Sequence, residues 1–246
     1  RFLWAVPLML PWLIRSRGRM LHTRRHGLHF LAGVTTVAST LFLFSGLALL
    51  PLAFATSLSF TAPLFATVMA VLLLKERVSM ARWITIAVGF AGVLIILRPG
   101  VAPVSPVSML PLGFAIAYAF WFILMKRLGA TELKTTTTFY QTVWSALLLT
   151  LIALPEWQWP SWDATWRSAA MAGLGTSAIF LVAWAFDLAE ASLIAPFDYI
   201  RLPLITLIAY LAFAEVPDIF TVVGALIIVG ATLASARLGA RQAKPG

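Results

Sequence analysis

The sequence contains no cysteine among its 246 residues. It therefore carries neither a disulfide scaffold nor a thiolate metal site. A chain without cysteine fits a bacterial inner membrane, and this sets a first expectation for its location.

Charged residues are also scarce, at 11% of the chain, while 61% of the residues are hydrophobic and the mean hydropathy is +0.94. These values are far from those of a soluble globular domain and predict an integral membrane protein. The apolar runs have helical length and lack the alternating pattern of outer-membrane strands. The expected fold class is therefore all-α, a polytopic bundle of membrane helices.

Acidic residues number only nine, and their positions argue against an enzyme. No two of them form a carboxylate pair inside an apolar segment, and no Ser–His–acid set or Walker sequence can be assembled. No cofactor is expected. His22, His26 and His29 would line up on a helix and could hold zinc. Five arginines in the same loop would repel the cation, so no metal site is predicted.

Nine apolar segments follow one another along the chain. The first opens on Arg1 and looks like the end of a spanning helix whose beginning is missing. One more leading helix would give ten helices with both termini in the cytoplasm. The nine segments are 1–14, 29–50, 52–74, 82–98, 107–125, 137–154, 167–187, 192–213 and 219–236.

Basic residues lie almost entirely on one side of these segments. Fourteen of the 18 fall in alternate loops or in the C-terminal tail, whereas a cluster of tryptophans lies in the loop at 155–166 on the other side. By the positive-inside rule the basic side is cytoplasmic. The net charge of +9 is thus a signal of topology rather than of nucleic-acid binding, and it predicts a multi-pass protein of the cell inner membrane.

The stretch 195–203 places an acid and a base inside an apolar run that continues to residue 213. Asp198 and Arg201 are three residues apart, so a helix would put them on one face, where they can pair. Pro196 and Pro203 would loosen that helix because proline donates no backbone hydrogen bond. Charges at membrane depth face protein or a water-filled cavity. The stretch therefore predicts the wall of a polar cavity.

Two parts of the chain resemble each other in opposite orientation. Aligning Pro63 with Pro203 brings Glu76 within one residue of Glu215, yet the loop at Glu76 is basic and the loop at Glu215 is not. Such a pair of oppositely oriented copies is the inverted-repeat pattern of secondary transporters. The paired glycines that predict close helix contacts are Gly89 with Gly92 and Gly224 with Gly230.

The motif Pro63-Leu64 with Lys75-Glu76-Arg77, and its echo at Pro203 and Glu215, resembles the EamA-like proteins of the drug/metabolite transporter superfamily. The resemblance implies ten helices in two five-helix inverted repeats, here 1–100 with its first helix missing, and 107–239. It also implies a central substrate cavity and alternating access. Family members export amino acids and related metabolites or take up nucleotide-derived solutes.

The residues expected to bind a solute form two sets. Asp198 and Arg201 would orient its charges, couple to a proton, or serve only as a buried ion pair that fixes the fold. Hydroxyls and aromatic rings at helical spacing would line the cavity, or would only pack one helix against another. Those of the second set are Ser39, Phe60, Tyr118, Trp121, Ser177, Trp184 and Tyr199.

Four further residues are candidates for gating. Pro63 and Pro203 would let their helices bend. Glu76 and Glu215 would pair with basic side chains in one state of the cycle, or would only end their helices.

These features predict a secondary transporter of a small polar or amphipathic metabolite, an amino acid or related solute that it exports, driven without ATP. Two alternatives remain: uptake of a nucleotide-derived solute such as S-adenosylmethionine, or a degenerate family member that transports nothing. The expected partners are the small-molecule solute and the lipid bilayer, with a proton as candidate coupling ion and no nucleic acid. The chain would act as a monomer or a homodimer.

The predicted orientation can be tested by cysteine labelling, because the chain has no cysteine of its own. A cysteine at Ser161 should react with a membrane-impermeant thiol reagent added outside intact cells. A cysteine at Thr131 should not react until the cells are opened. Labelling of the Thr131 variant from outside would contradict the orientation.

Overall fold

The computed structural model describes residues 1–50, 55, 58–97, 106–200, 203–204, 207, 211 and 219–242. These residues are mostly helical and form no strand. Their α-helices are α1 (Phe2–Leu8), α2 (Leu10–Arg15), α3 (His26–Leu49), α4 (Ala62–Leu74), α5 (Met80–Leu97), α6 (Met109–Gly129), α7 (Lys134–Ala153), α8 (Trp162–Leu188), α9 (Ala191–Ile194) and α10 (Ile219–Gln242). Short 3-10 helices occur at Arg19–Leu21, Pro106–Ser108, Leu154–Glu156 and Ala195–Ile200.

Four of these helices are long and apolar enough to cross a membrane. They are α3, α6, α8, and α7 together with the 3-10 turn that extends it to Glu156. Shorter apolar helices occur at 2–15, 62–74, 80–95 and 222–231. The prediction of a membrane helical bundle is therefore confirmed.

The ends of several helices follow from local sequence. Ser161 caps α8, because its hydroxyl oxygen accepts a hydrogen bond from the backbone N–H of Ala164 at 3.2 Å. α4 has Pro63 in its first turn, where a missing N–H costs nothing, and it ends at Lys75 with a left-handed backbone (φ 56°). The segment 1–14 is not one helix: it is divided at Met9, and Pro11 lies in the first turn of α2.

The chain divides into two compact units, and α3 and α6 contribute residues to both. Unit 1 comprises residues 1–38 and 124–189, and unit 2 comprises residues 39–123 and 190–246. In unit 1, α1 contacts both α7 and α8, which also contact each other. A small apolar core forms where Leu28 packs against the buried side chains of Ala32, Leu124 and Leu128.

In unit 2 the most extensive helix contact is that between α5 and α10. Gly92 allows it, since a Cβ atom there would lie 2.9 Å from Ile228 Cγ1 and 3.0 Å from the carbonyl oxygen of Gly224. Gly89 likewise lies against the ring of Tyr199, 2.8 Å from a built Cβ to Cδ2. The expectation of close contact is confirmed at Gly89, Gly92 and Gly224, but it is wrong at Gly230, where a Cβ atom would meet no atom of the described residues within 4 Å.

The contrast between these glycines gives a stability test. Gly92→Ala should lower the unfolding free energy by about 1–3 kcal/mol, the usual cost of overpacking a tight contact. Gly230→Ala should be neutral or stabilise α10 by up to about 1 kcal/mol, because alanine favours the helix and the site is open. Thermal unfolding in detergent would compare them. Equal shifts would contradict the close contact at Gly92.

Candidate functional site

Asp198 lies in the 3-10 helix Ala195–Ile200 of unit 2 and is partly buried. Its Oδ1 accepts a long hydrogen bond from the Tyr118 hydroxyl, at 3.5 Å between the oxygens. The 3-10 geometry agrees with the loosening of the helix expected beside Pro196 and Pro203. A carboxylate is thus held at the interior of an apolar region, where it attracts cations and hydrogen-bond donors more strongly than in water.

Two aromatic rings of α6, those of Phe114 and Trp121, stack against the ring of Tyr118. Tyr118 stacks on Phe114 with ring centroids 5.5 Å apart, and on Trp121 with centroids 5.3 Å apart, at interplanar angles of 22° and 27°. The i, i+4 and i, i+3 spacings put the rings on one face of the helix. The indole N–H of Trp121 is buried and has no acceptor among the described residues. These residues form a stack of aromatic rings next to the carboxylate of Asp198.

Tyr199 follows Asp198 and faces the core of unit 2. Its side chain is buried with Phe60, Val93 and Ile228, and the Phe60 and Tyr199 rings lie 6.5 Å apart. Its hydroxyl finds no hydrogen-bond partner in the described part of the chain. Since a buried polar atom without a partner costs about 1–3 kcal/mol, this hydroxyl is an additional point at which a solute or water could bind.

Two contacts hold the chain just before the 3-10 helix Ala195–Ile200, which carries Asp198. Arg82, on α5, has a side chain only 2% exposed, and its Nη1 lies 2.8 Å from Glu190 Oε2. One residue later, the backbone N–H of Ala191 donates to Glu76 Oε1 at 3.0 Å. A carboxylate at the start of a helix is also stabilised by the helix dipole. We call these two contacts the clamp; they fix the start of the segment that carries Asp198.

The structure brings together only some of the residues predicted from sequence. Asp198, Tyr118 and Trp121 form one group, with Tyr199 and Phe60 beside it in the core of unit 2. Ser39 and Pro63 are buried elsewhere in unit 2, and Pro203 is partly buried. Ser177 and Trp184 lie on α8 in unit 1, where both are exposed. Arg201 and Glu215 lie outside the described residues, so their roles stay predictions.

Sequence reasoning missed Arg82 and Lys126, because it took every loop-side base only as a topology signal. Lys126 Nζ donates to the carbonyl oxygens of Phe186 and Ala189 at the end of α8, the first at 2.7 Å. Lys134 pairs with Asp187 at 2.6 Å. A cavity of about 270 Å³ lies here, lined by Lys126, Gly129, Ala130, Phe186 and Asp187. These bases therefore hold helix ends together instead of facing only water.

A buried polar face on α7 was also missed. Its members are fully or almost fully buried and are Thr137, Thr138, Gln141, Thr142 and Ser145, while the buried Thr136 lies on another side of the helix. The run of four threonines followed by glutamine inside a spanning helix was the available signal. His29, considered above as a zinc ligand, instead stacks on Tyr140 with centroids 5.0 Å apart.

A family model matches almost the whole chain. The model of the EamA-like transporter family aligns with residues 1–98 and 106–237. The chain belongs to the EamA-like transporter family. As a member of that family it is a transporter and not an enzyme.

Curated relatives agree with the EamA-like assignment. The riboflavin transporter of Vibrio cholerae is 34% identical over 229 residues, covering 92% of this chain and 76% of that protein. The S-adenosylmethionine uptake transporter of Rickettsia prowazekii is 31% identical over 236 residues, covering 95% and 79%. The riboflavin transporter of Brucella anthropi is 30% identical over 245 residues, covering 95% and 84%.

A solved crystal structure supports the fold. It is similar with a TM-score of 0.78 at 19% identity, covering 99% of this chain and 87% of that chain. Together with the spanning helices, these comparisons identify this EamA-like protein as a multi-pass membrane transporter of small metabolites.

The clamp can be tested with a double-mutant cycle. Arg82→Met, Glu190→Gln and the double variant should yield a coupling of about 1 kcal/mol, because the Arg82 side chain is buried whereas that of Glu190 is 54% exposed to solvent. The exposed i, i+4 pair of Arg167 and Asp163, at 2.9 Å, is the matched control and should yield only about 0.3–0.5 kcal/mol. Unfolding in detergent measures both. Equal couplings would show that Arg82 and Glu190 behave as a surface pair.

Proposed function

We propose that this EamA-like protein takes up a metabolite that joins a nitrogen heterocycle to a hydroxylated chain or sugar. The observation that carries this proposal is the Asp198 carboxylate, bonded to Tyr118 at the edge of the Phe114–Tyr118–Trp121 ring stack. Flat rings bind a flat heterocycle by stacking, and a carboxylate accepts hydrogen bonds from ring N–H groups. The site is thus matched to a solute that is both flat and polar.

The relatives' names support this choice of solute. Riboflavin and S-adenosylmethionine share a nitrogen heterocycle attached to a hydroxylated group, although the first is neutral and the second carries positive charge. One carboxylate serves both, because it accepts from a neutral imide N–H and also attracts a cation. The uptake alternative therefore has support in the name of the Rickettsia relative. Export of an amino acid has none among these names and stays an untested prediction.

The transport cycle we propose is alternating access between two inverted repeats, 1–100 and 107–239, in the inner membrane. Pro63 and Pro203 would bend their helices, and Glu76 would release Ala191 when the clamp opens. Glu215 and Arg201 would have the corresponding roles in gating and solute binding. Ser39, Ser177 and Trp184 would contact the solute at other stages of the cycle. A proton would be the coupling ion.

The experiment is uptake into proteoliposomes containing the purified chain. Riboflavin or S-adenosylmethionine should enter saturably without ATP, and Asp198→Asn should lower the initial rate at least about tenfold, equivalent to about 1.4 kcal/mol. Tyr118→Phe keeps the ring stack and should cost less. The control is Asp163→Asn, which changes an exposed acid that pairs with Arg167. It should transport normally.

Two results would contradict the proposal. The first is transport of an amino acid with no uptake of either heterocycle, which would favour the export alternative. The second is an Asp198→Asn variant with unchanged flux, which would leave Asp198 with a structural role alone. Direction is read by comparing solute loaded inside with solute added outside.

A further inference from the structure

The polar face of α7 in unit 1 has more hydrogen-bonding atoms than the described chain satisfies. Thr137, Gln141 and Ser145 follow each other at i, i+4 and i+8, and Thr142 lies beside them, so they share one side of the helix. Each is at most 1% exposed. The hydroxyls of Thr137, Thr142 and Ser145 and the Oε1 of Gln141 have no partner among the described residues.

Other polar groups of the same helix do find hydrogen-bond partners within the protein. Thr138 is equally buried, yet its hydroxyl donates to the carbonyl oxygen of Lys134 at 2.8 Å. The amide nitrogen of Gln141 donates to the Thr36 hydroxyl at 3.1 Å. The lack of a hydrogen-bond partner is therefore confined to particular residues and is not a general property of threonine in this helix.

His29 of α3 adds an independent polar group to the same side of unit 1. Its ring is fully buried, and neither of its nitrogens has a hydrogen-bond partner in the described residues. It stacks on Tyr140, which precedes Gln141. Gly33 brings the two helices close, since a Cβ atom there would lie 2.5 Å from Trp144 Cβ. α3 therefore packs against α7 beside these polar groups, with contacts at Tyr140, Gln141 and Trp144.

The charged groups near this face are engaged with other residues. Lys134, at the start of α7, pairs with Asp187, and Glu132 accepts a hydrogen bond from Thr23 at 2.9 Å. The polar face itself consists of hydroxyl, amide and imidazole groups. Hydroxyl groups can both donate and accept hydrogen bonds, and amide and imidazole groups carry a donor and an acceptor. They therefore match a ligand whose groups can also do both. An apolar ligand would leave them unpaired.

We propose that the four α7 residues whose polar atoms lack a partner in the described part of the chain (Thr137, Gln141, Thr142 and Ser145), with His29, form a binding surface for a hydroxylated chain or sugar. A polyol chain or a ribose offers several hydroxyls at short intervals, each able to donate and accept, as the threonine and serine hydroxyls do. The inference rests on the proposed function, since the hydroxylated chain or sugar belongs to the class of solute named there. It adds a specificity-determining surface in unit 1.

The experiment measures equilibrium binding to the full chain in detergent, using probe pairs that differ in hydroxylation. Riboflavin carries a hydroxylated chain and lumichrome is the same ring without it; adenosine and 9-methyladenine form the corresponding adenine pair. The wild type should bind the hydroxylated member of at least one pair about tenfold more tightly. Thr142→Val or Thr137→Val, which preserve shape, should remove most of that preference and leave the bare-ring Kd unchanged.

The matched control is Thr138→Val, which changes an equally buried threonine whose hydroxyl is already bonded. It should keep the preference. Thermal unfolding without ligand adds a readout that needs no solute. Thr142→Val should raise the Tm because it removes an unpaired buried hydroxyl, whereas Thr138→Val should lower it or leave it unchanged.

The outcomes separate the two proposals. Normal binding of the hydroxylated probes, with a preference that Thr142→Val and Thr137→Val do not alter, overturns the α7 surface and leaves the proposed function standing. A lower Tm for Thr142→Val would show that its hydroxyl is bonded within the fold, and it also overturns the surface. A wild type that binds none of the four probes overturns the proposed function, and the α7 assignment falls with it.

Discussion

The buried guanidinium of Arg82 is the constraint on which the organisation of unit 2 depends. A cation in an apolar interior must keep a partner, and Glu190 is the carboxylate that lies within 2.8 Å of it. Glu190 is thereby held against α5, which fixes where α9 begins. Glu76 then accepts a hydrogen bond from the backbone N–H of Ala191, the first residue of α9. Asp198 and Tyr199 follow within two helical turns. The close contacts that Gly89 and Gly92 permit then complete the same arrangement.

The two units use different chemistry to hold polar groups away from water. Unit 2 has one carboxylate near stacked rings, an arrangement that favours a flat solute with a donor or positive charge. Unit 1 has uncharged hydroxyl and amide groups on α7, which favour a neutral solute rich in hydroxyls. A transporter built from these parts should discriminate by shape and hydrogen bonding more than by net charge.

Much of the fold follows from hydropathy alone, because a lipid-spanning helix must satisfy its own backbone. α3, α6 and α8 lie within a few residues of the apolar segments that predicted them. Asp198 was predicted as a candidate from its charge inside such a segment, and Tyr118 from its helical spacing to Trp121. Arg82 and Lys126 were not, because their partners are 108 and 60 or more residues away and nothing local identifies them. The threonines of α7 were overlooked for another reason: threonine is nearly neutral in hydropathy, so a window average hides a polar face.

That polar face also bears on how the protein is made. α7 is the least hydropathic of the four long helices, so it gains least from entering lipid by itself. Its hydroxyl and amide groups are sheltered by neighbouring helices, among them α3, which is synthesised earlier and contacts α7 at Gly33 and Trp144. The positive-inside rule predicts that Lys126, Arg127 and Lys134 keep the connection between α6 and α7 on the cytoplasmic side. We therefore expect the insertion of α7 to be cooperative, with its stability in the membrane increased by packing against α3.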